Sequence, residues 1–199
     1  LLGASLLVAI PVCSYQEKPT EVDEPVPVVM PVPVPDLPEE EVKEEEEVSN
    51  VWKGVNFTET EKYVLQYLQE YGITDKYALA TILGNIKQES RFETKICEGG
   101  AFTGYNGCRS GGFGLIQWTT TGRYVGLGRF ASRHGLDPNS LETQLRYMTS
   151  EVEWQKVAHI FKSPGDSING YMRAAKFWLG WGIHGNRTAY ANEYLVRLT

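Results

Sequence analysis

Tryptophan and phenylalanine are absent from the first 50 residues of this 199-residue chain; all five tryptophans and all seven phenylalanines come later. That absence denies the opening segment the apolar bulk of a packed core. Histidine is scarce as well: His134, His159 and His184 stand 25 residues apart. No two of them share one element at the short spacing of a zinc site, so neither a metal nor a cofactor is expected. The phosphate-binding and dinucleotide glycine fingerprints are both missing. Lys and Arg are scattered instead of clustered with aromatics, which argues against nucleic acid as a partner. The apolar run Leu1–Val12 is too short to span a bilayer comfortably.

What is present divides near residue 50. Residues 1–14 read as a signal-peptide core or the remnant of a membrane anchor. The signal reading is favoured, with cleavage after Ser14; a membrane tether through the N-terminus is the alternative. Residues 15–50 hold twelve acidic residues against Lys18 and Lys43, together with alternating Pro and Val. Such a stretch repels itself and favours extended polyproline-like backbone. It reads as a disordered acidic linker reaching up to roughly 100 Å at ~3.1 Å per residue. Residues 51–199 keep thirteen acids and seventeen Lys plus Arg, so the net charge of −6 hides an acidic leader before a mildly basic region. About 150 residues suffice for one core. Mild basicity suits an anionic polymer.

Strand signal in that region is slight and helical signal is strong, which predicts a mainly α domain with a short β/Gly-rich segment. Thr58-Glu59-Thr60-Glu61 is a capping box ahead of apolar Val64, Leu65, Leu68 and Tyr71, and Gly72 closes that helix. Asp75 or Thr74 caps the next helix. A third is expected over about Gly122–His134. A fourth follows Asn139 or Ser140, with Leu141, Leu145, Met148 and Val152 on one stripe. Trp154–Phe161 continues helical. Ser163-Pro164 opens a fifth element with Ile168, Met172, Ala175 and Leu179 buried. A last helix lies near Arg187–Leu198, with Trp178 and Trp181 expected between the last two helices.

The stretch Leu79–Thr119 carries the chemistry. Leu79, Ile82, Leu83 and Ile86 form one helical face, and Glu89 continues it. A carboxylic acid withdrawn from water holds its proton more tightly, which is what a general acid near neutral pH requires. The competing reading is a last-turn glutamate facing solvent. Cys97 and Cys108 flank the Gly-rich loop EGGAFTGYNG; in an exported protein they would form a disulfide holding that loop beside Glu89, and otherwise they are ordinary thiols.

The segments GNIKQES–RF and GGFGLIQWT together resemble the lysozyme superfamily, within it the phage tail lysozyme and phage endolysin glycosidase group. Goose-type lysozymes and lytic transglycosylases are more distant. The resemblance covers about Thr58–Tyr194. It implies a lysozyme-like helical fold and cleavage of the β-1,4 bond between sugars of bacterial peptidoglycan. Glu89 then matches the catalytic glutamate, and Gln117 the glutamine of the Gly-Leu-x-Gln segment in the sugar cleft. Tyr190 is the nearest equivalent of a cleft tyrosine in the last helix of transglycosylases, within a motif that departs from theirs.

Glycosidic cleavage needs a proton on the leaving oxygen, and hydrolases usually add a second carboxylate. Between Glu89 and Gln117 only Glu93 and Glu98 are available, and Glu98 is the candidate. A single-acid route, in which the sugar's own 6-hydroxyl attacks to give an anhydro end, is the alternative to hydrolysis. Tyr105 and Phe113 are candidates to line the sugar site; Trp118 reads as core. A cysteine nucleophile with one of the histidines has no supporting motif. The expected setting is a monomer exported to the cell-wall side of a bacterium, most simply in phage-driven host lysis. A non-catalytic wall-binding or virion structural module on the same fold is the other class to exclude.

Overall fold

The computed structural model describes residues 52–108, 112–119 and 121–199. The readings of residues 1–14 and 15–50 lie outside the described residues. Eight α-helices follow in order: α1 Glu59–Glu70, α2 Lys76–Ser90, α3 Thr121–His134, α4 Leu141–Ser150, α5 Val152–Gln155, α6 Ala158–Lys162, α7 Ile168–Leu179 and α8 Arg187–Arg197. Between α2 and α3 the chain forms isolated antiparallel bridges, Ile96 with Phe102 and Cys97 with Phe113, and a 3-10 turn at Tyr105–Gly107. The domain is therefore mainly α with a short bridged Gly-rich segment.

Helix α2 is the axis of the packing, with α1, α6, α7 and α8 laid against it. The sequence pattern suggested one buried face. Instead every residue from Ala78 to Ile86 is buried. A helix enclosed on all sides leaves its polar side chains few partners beyond their own helix, and Asn85 Oδ1 has none among the described residues. Thr81 Oγ1 donates to the Tyr77 carbonyl at 2.7 Å, and Asn85 Nδ2 donates to the Thr81 carbonyl at 2.8 Å. Gly84 is what lets α8 approach: a Cβ there would stand 2.5 Å from the Ala191 nitrogen.

Caps fix where the helices begin. Thr58 and Glu61 form the reciprocal capping box of α1. Asp75 caps α2, accepting from Tyr77 and Ala78, and Ser140 caps α4. Ser163-Pro164 does not open a helix; α7 starts at Ile168, and Ser167 caps it by accepting from the Gly170 N–H. Ser supplies the side-chain acceptor for a first-turn N–H that proline has no means to offer. Val152 leaves the expected stripe and is 62% exposed, because α4 ends at Ser150 and Glu151 turns the chain extended.

Trp178 is fully buried. It packs edge-on against Trp154 of α5, centroids 4.7 Å apart, and against Phe161 of α6. The two ends of the domain meet through Lys53 and Thr199, which exchange both backbone hydrogen bonds at 2.8 and 2.9 Å.

Candidate active site

Helix α2 stops abruptly, and the stop places Glu89. Arg91 and Phe92 both adopt positive φ, 54° and 68°. Such backbone is costly for non-glycine residues, so surrounding contacts must enforce it. Phe92 is buried edge-on to Tyr194 of α8, and Ser90 Oγ donates to the Leu115 carbonyl at 2.8 Å. The second contact ties the residue after Glu89 to the Gly114-Leu115-Ile116-Gln117 segment. The two sequence segments that carry the family likeness are thereby joined by one buried hydrogen bond.

The Glu89 side chain is 15% exposed. Burial pushes its carboxyl above the ordinary glutamate range; Arg187 opposes this by charge and by a hydrogen bond, and Arg123 opposes it by charge. The net direction is upward. Arg187, at the start of α8, donates from Nη2 to Glu89 Oε1. Its other terminal nitrogen donates to the Ile183 and His184 carbonyls at 3.0 and 2.9 Å, and its guanidinium lies 4.5 Å from the Trp181 ring centre. Next to Glu89, Gln88 Oε1 accepts from the Asn186 N–H at 2.8 Å. The α7–α8 loop is thus fastened to the end of α2 at two adjacent positions.

Arg123 of α3 is held by Glu151, with Nε–Oε1 and Nη2–Oε2 both at 2.8 Å. Trp118 Nε1 donates to the same carboxylate at 2.9 Å. Trp118 is fully buried, as a core residue. One acidic side chain therefore anchors both the end of the Gly-Leu-Ile-Gln segment and the helix that follows it.

The other expected site residues sit as follows. Gln117 is half-buried at φ 53°, and its amide nitrogen donates to the Gly114 and Ile96 carbonyls at 3.0 and 3.3 Å. Its donors therefore brace the loop, and its Oε1 takes no hydrogen bond from the described residues. Glu98 is exposed, and its Oε2 accepts from the Gly112 N–H at 3.2 Å. Among the described residues, the charges that act on the Glu89 carboxyl are those of Arg187 and Arg123. Phe113 is a correction: it is fully buried, edge-on to Tyr105 and Tyr124, and has no face for a sugar. The Cys97–Phe113 bridge turns its side chain inward.

Tyr105 is half-buried, its ring stacked 4.4 Å from that of Tyr124. Its hydroxyl donates to the Tyr124 carbonyl at 3.0 Å, so it pins the loop to α3. Tyr190 of α8 lies against α2, its ring 4.8 Å from Lys87 Nζ. A disulfide joins Cys97 and Cys108, Cα atoms 5.8 Å apart, and closes the Gly-rich loop. No group of metal-ligating side chains and no helix long and apolar enough to cross a membrane occurs among the described residues.

The phage tail lysozyme family model matches residues 59–197, from the first residue of α1 to the last of α8. The chain belongs to the phage tail lysozyme family. A similar curated protein is Morphogenesis protein 1 of Bacillus phage B103, 35% identical over 92 residues. Those residues are 46% of this chain and 23% of that protein, so the chain spans about a quarter of the relative's length.

Arg187 and Arg123 are the charged neighbours of Glu89 that the sequence did not announce. A signal for Arg187 existed. A cation at the first position of a helix faces the positive end of the dipole, so it needs a compensating partner. Which acid supplies that partner depends on the α2–α8 crossing.

Proposed function

We propose that the domain is a lysozyme-type glycosidase that cleaves the β-1,4 glycan bond of bacterial peptidoglycan with Glu89 as general acid. The observation that carries this is the placement of Glu89: a half-buried carboxyl of raised proton affinity at the end of the central helix, tied through Ser90 to the Gly-Leu-Ile-Gln segment. Membership of the phage tail lysozyme family supports it.

In the reaction the O–H bond of Glu89 breaks as its proton moves to the bridging oxygen. The bond from the anomeric carbon to that oxygen breaks, and its electron pair stays on the leaving sugar. Water adds to the anomeric carbon and returns a proton to Glu89. Hydrolysis in this form is the first reading. The second, in which the sugar's 6-hydroxyl replaces water, is favoured by the charges facing Glu89 being both cationic.

The assay is clearing of a peptidoglycan suspension by wild type and by Glu89→Gln, with mass analysis of the released fragments. Clearing lost in the variant supports the assignment; equal clearing, or none by either protein, overturns it. Reducing ends mark hydrolysis, and anhydro ends lighter by one water mark the second route. For the biological setting, host lysis by an exported enzyme was the simplest expectation. The family, phage tail lysozyme, and the relative, a phage morphogenesis protein, favour a virion-borne enzyme that opens the wall.

A further inference from the structure

We propose that Arg187 is the positioning residue for Glu89: it fixes which carboxyl oxygen carries the catalytic proton and holds the carboxylate left after transfer. The inference rests on Glu89 being the acid, as proposed above. Arg187 engages Oε1, whereas Oε2 takes no hydrogen bond from the described residues. With a cationic donor on Oε1, a proton on that oxygen would face the guanidinium, so the proton resides on Oε2. Oε2 is then the oxygen that delivers it. After delivery the carboxylate is formed beside a charge already in place, which needs no reorganisation at the moment of reaction.

The guanidinium is itself held from several sides. The Ile183 and His184 carbonyls hold one nitrogen, the Trp181 ring backs its plane, and its side chain is only 6% exposed. A cation so enclosed, with its Nε buried and lacking a partner among the described residues, is paired with Glu89 and favours the ionised form that proton transfer leaves there. Because its hold comes from loop carbonyls and an aromatic face, Arg187 acts on Glu89 without taking the proton itself.

Arg123 on α3 faces Glu89 and is neutralised by Glu151. Lys87 on α2 is paired with Glu193 of α8 and lies over the Tyr190 and Tyr194 rings. His184, in the loop, engages Thr188 Oγ1 at 2.7 Å.

The test is the pH profile of peptidoglycan clearing by wild type, Arg187→Gln, Arg187→Lys and His184→Gln. Loss of a neighbouring cation raises a carboxyl pKa, so the alkaline limb of Arg187→Gln should move up by about one pH unit or more. Its kcat should fall by about tenfold to a hundredfold with KM little changed. Arg187→Lys keeps the charge but loses the hold of the guanidinium, so its limb should move by less than that of Arg187→Gln, and His184→Gln should leave it in place. A limb unmoved in both Arg187 variants, or one that moves equally in His184→Gln, overturns the inference.

Should Arg187→Gln fail to fold, Arg187→Lys and an infrared titration of the Glu89 carboxyl band decide the matter. The band is identified by its loss in Glu89→Gln. Arg187→Lys must titrate it at a different pH from wild type, and an identical titration counts against the proposal. If Glu89→Gln clears as wild type does, the parent assignment of Glu89 falls instead, so the two failures are distinguishable.

Discussion

Replacing Gly84 by alanine sets two effects of opposite sign against each other. Alanine in a helix interior is better than glycine by about 1 kcal/mol, so propensity alone predicts a more stable protein. The α2–α8 crossing predicts the reverse. A Cβ at Gly84 would stand 2.5 Å from the Ala191 nitrogen, 2.8 Å from its Cα and 3.0 Å from the Tyr190 carbonyl carbon. Ordinary contacts need about 3.5–4.0 Å, so α8 must retreat by about 1 Å. The obstacles are backbone atoms, which have no rotamer to turn aside.

Overpacking of this kind costs roughly 1–3 kcal/mol, and rigid neighbours put this case toward the upper end. The net is a loss of about 1–2 kcal/mol, or a Tm lower by about 2–8 °C at about 2–4 °C per kcal/mol. Activity should fall further than stability, because Arg187 lies one turn before Ala191 on the displaced helix. A misplacement of about 1 Å costs up to about a hundredfold in rate. Thermal unfolding followed by circular dichroism, together with suspension clearing, measures both. A Tm equal to or above wild type refutes the reasoning, since it would mean that the two helices have slack at their crossing.

Three further outcomes follow from individual contacts. Asp75→Ala removes the cap of α2 and the acceptor for the Gly165 N–H at 2.9 Å, and should lower stability by about 1–2 kcal/mol in denaturant titrations; an unchanged midpoint counts against the cap. Glu151→Gln leaves Arg123 without its buried carboxylate and should cost about 3–5 kcal/mol; a loss below 1 kcal/mol, which is about the value of an exposed pair, would show that the pair is not enclosed. Burial works to raise the Glu61 carboxyl, but the Tyr194 hydroxyl, both Thr58 contacts and Arg197 outweigh it and hold it below its ordinary value. A depressed folded pKa gives stability that is present above the unfolded value and is lost as pH falls through the folded one. The Tm gap between wild type and Glu61→Gln should therefore be full near neutrality and close below about pH 4; a gap that widens on acidification would contradict the assignment.

Local signals in the sequence carried far into the structure. The capping box at Thr58–Glu61, Asp75 ahead of α2 and the apolar period that ends on Glu89 depend on residues within one or two turns, and each is where its neighbours dictate. Legibility ended where two distant elements had to meet. Phe113 looked like a loop aromatic free to touch a sugar, yet the Cys97–Phe113 bridge turns it into the core. Gln117 matched a cleft glutamine, and in the fold its amide donors are taken by the Ile96 and Gly114 carbonyls. Pro164 looked like a helix start, and the serine three residues on served instead.

The sequence by itself determined a helical domain and a carboxyl at the end of an apolar stripe. Hydrophobic period, caps and turn residues act over a few positions, and so they can be read along the chain. Only the tertiary structure decided which charge stands beside that carboxyl. Arg187 is 98 residues from Glu89, and the two meet because Gly84 lets α8 lie close on α2 and because the α7–α8 loop folds its carbonyls onto the guanidinium. A charge pair of that separation is set by how helices cross, and no local pattern encodes a crossing.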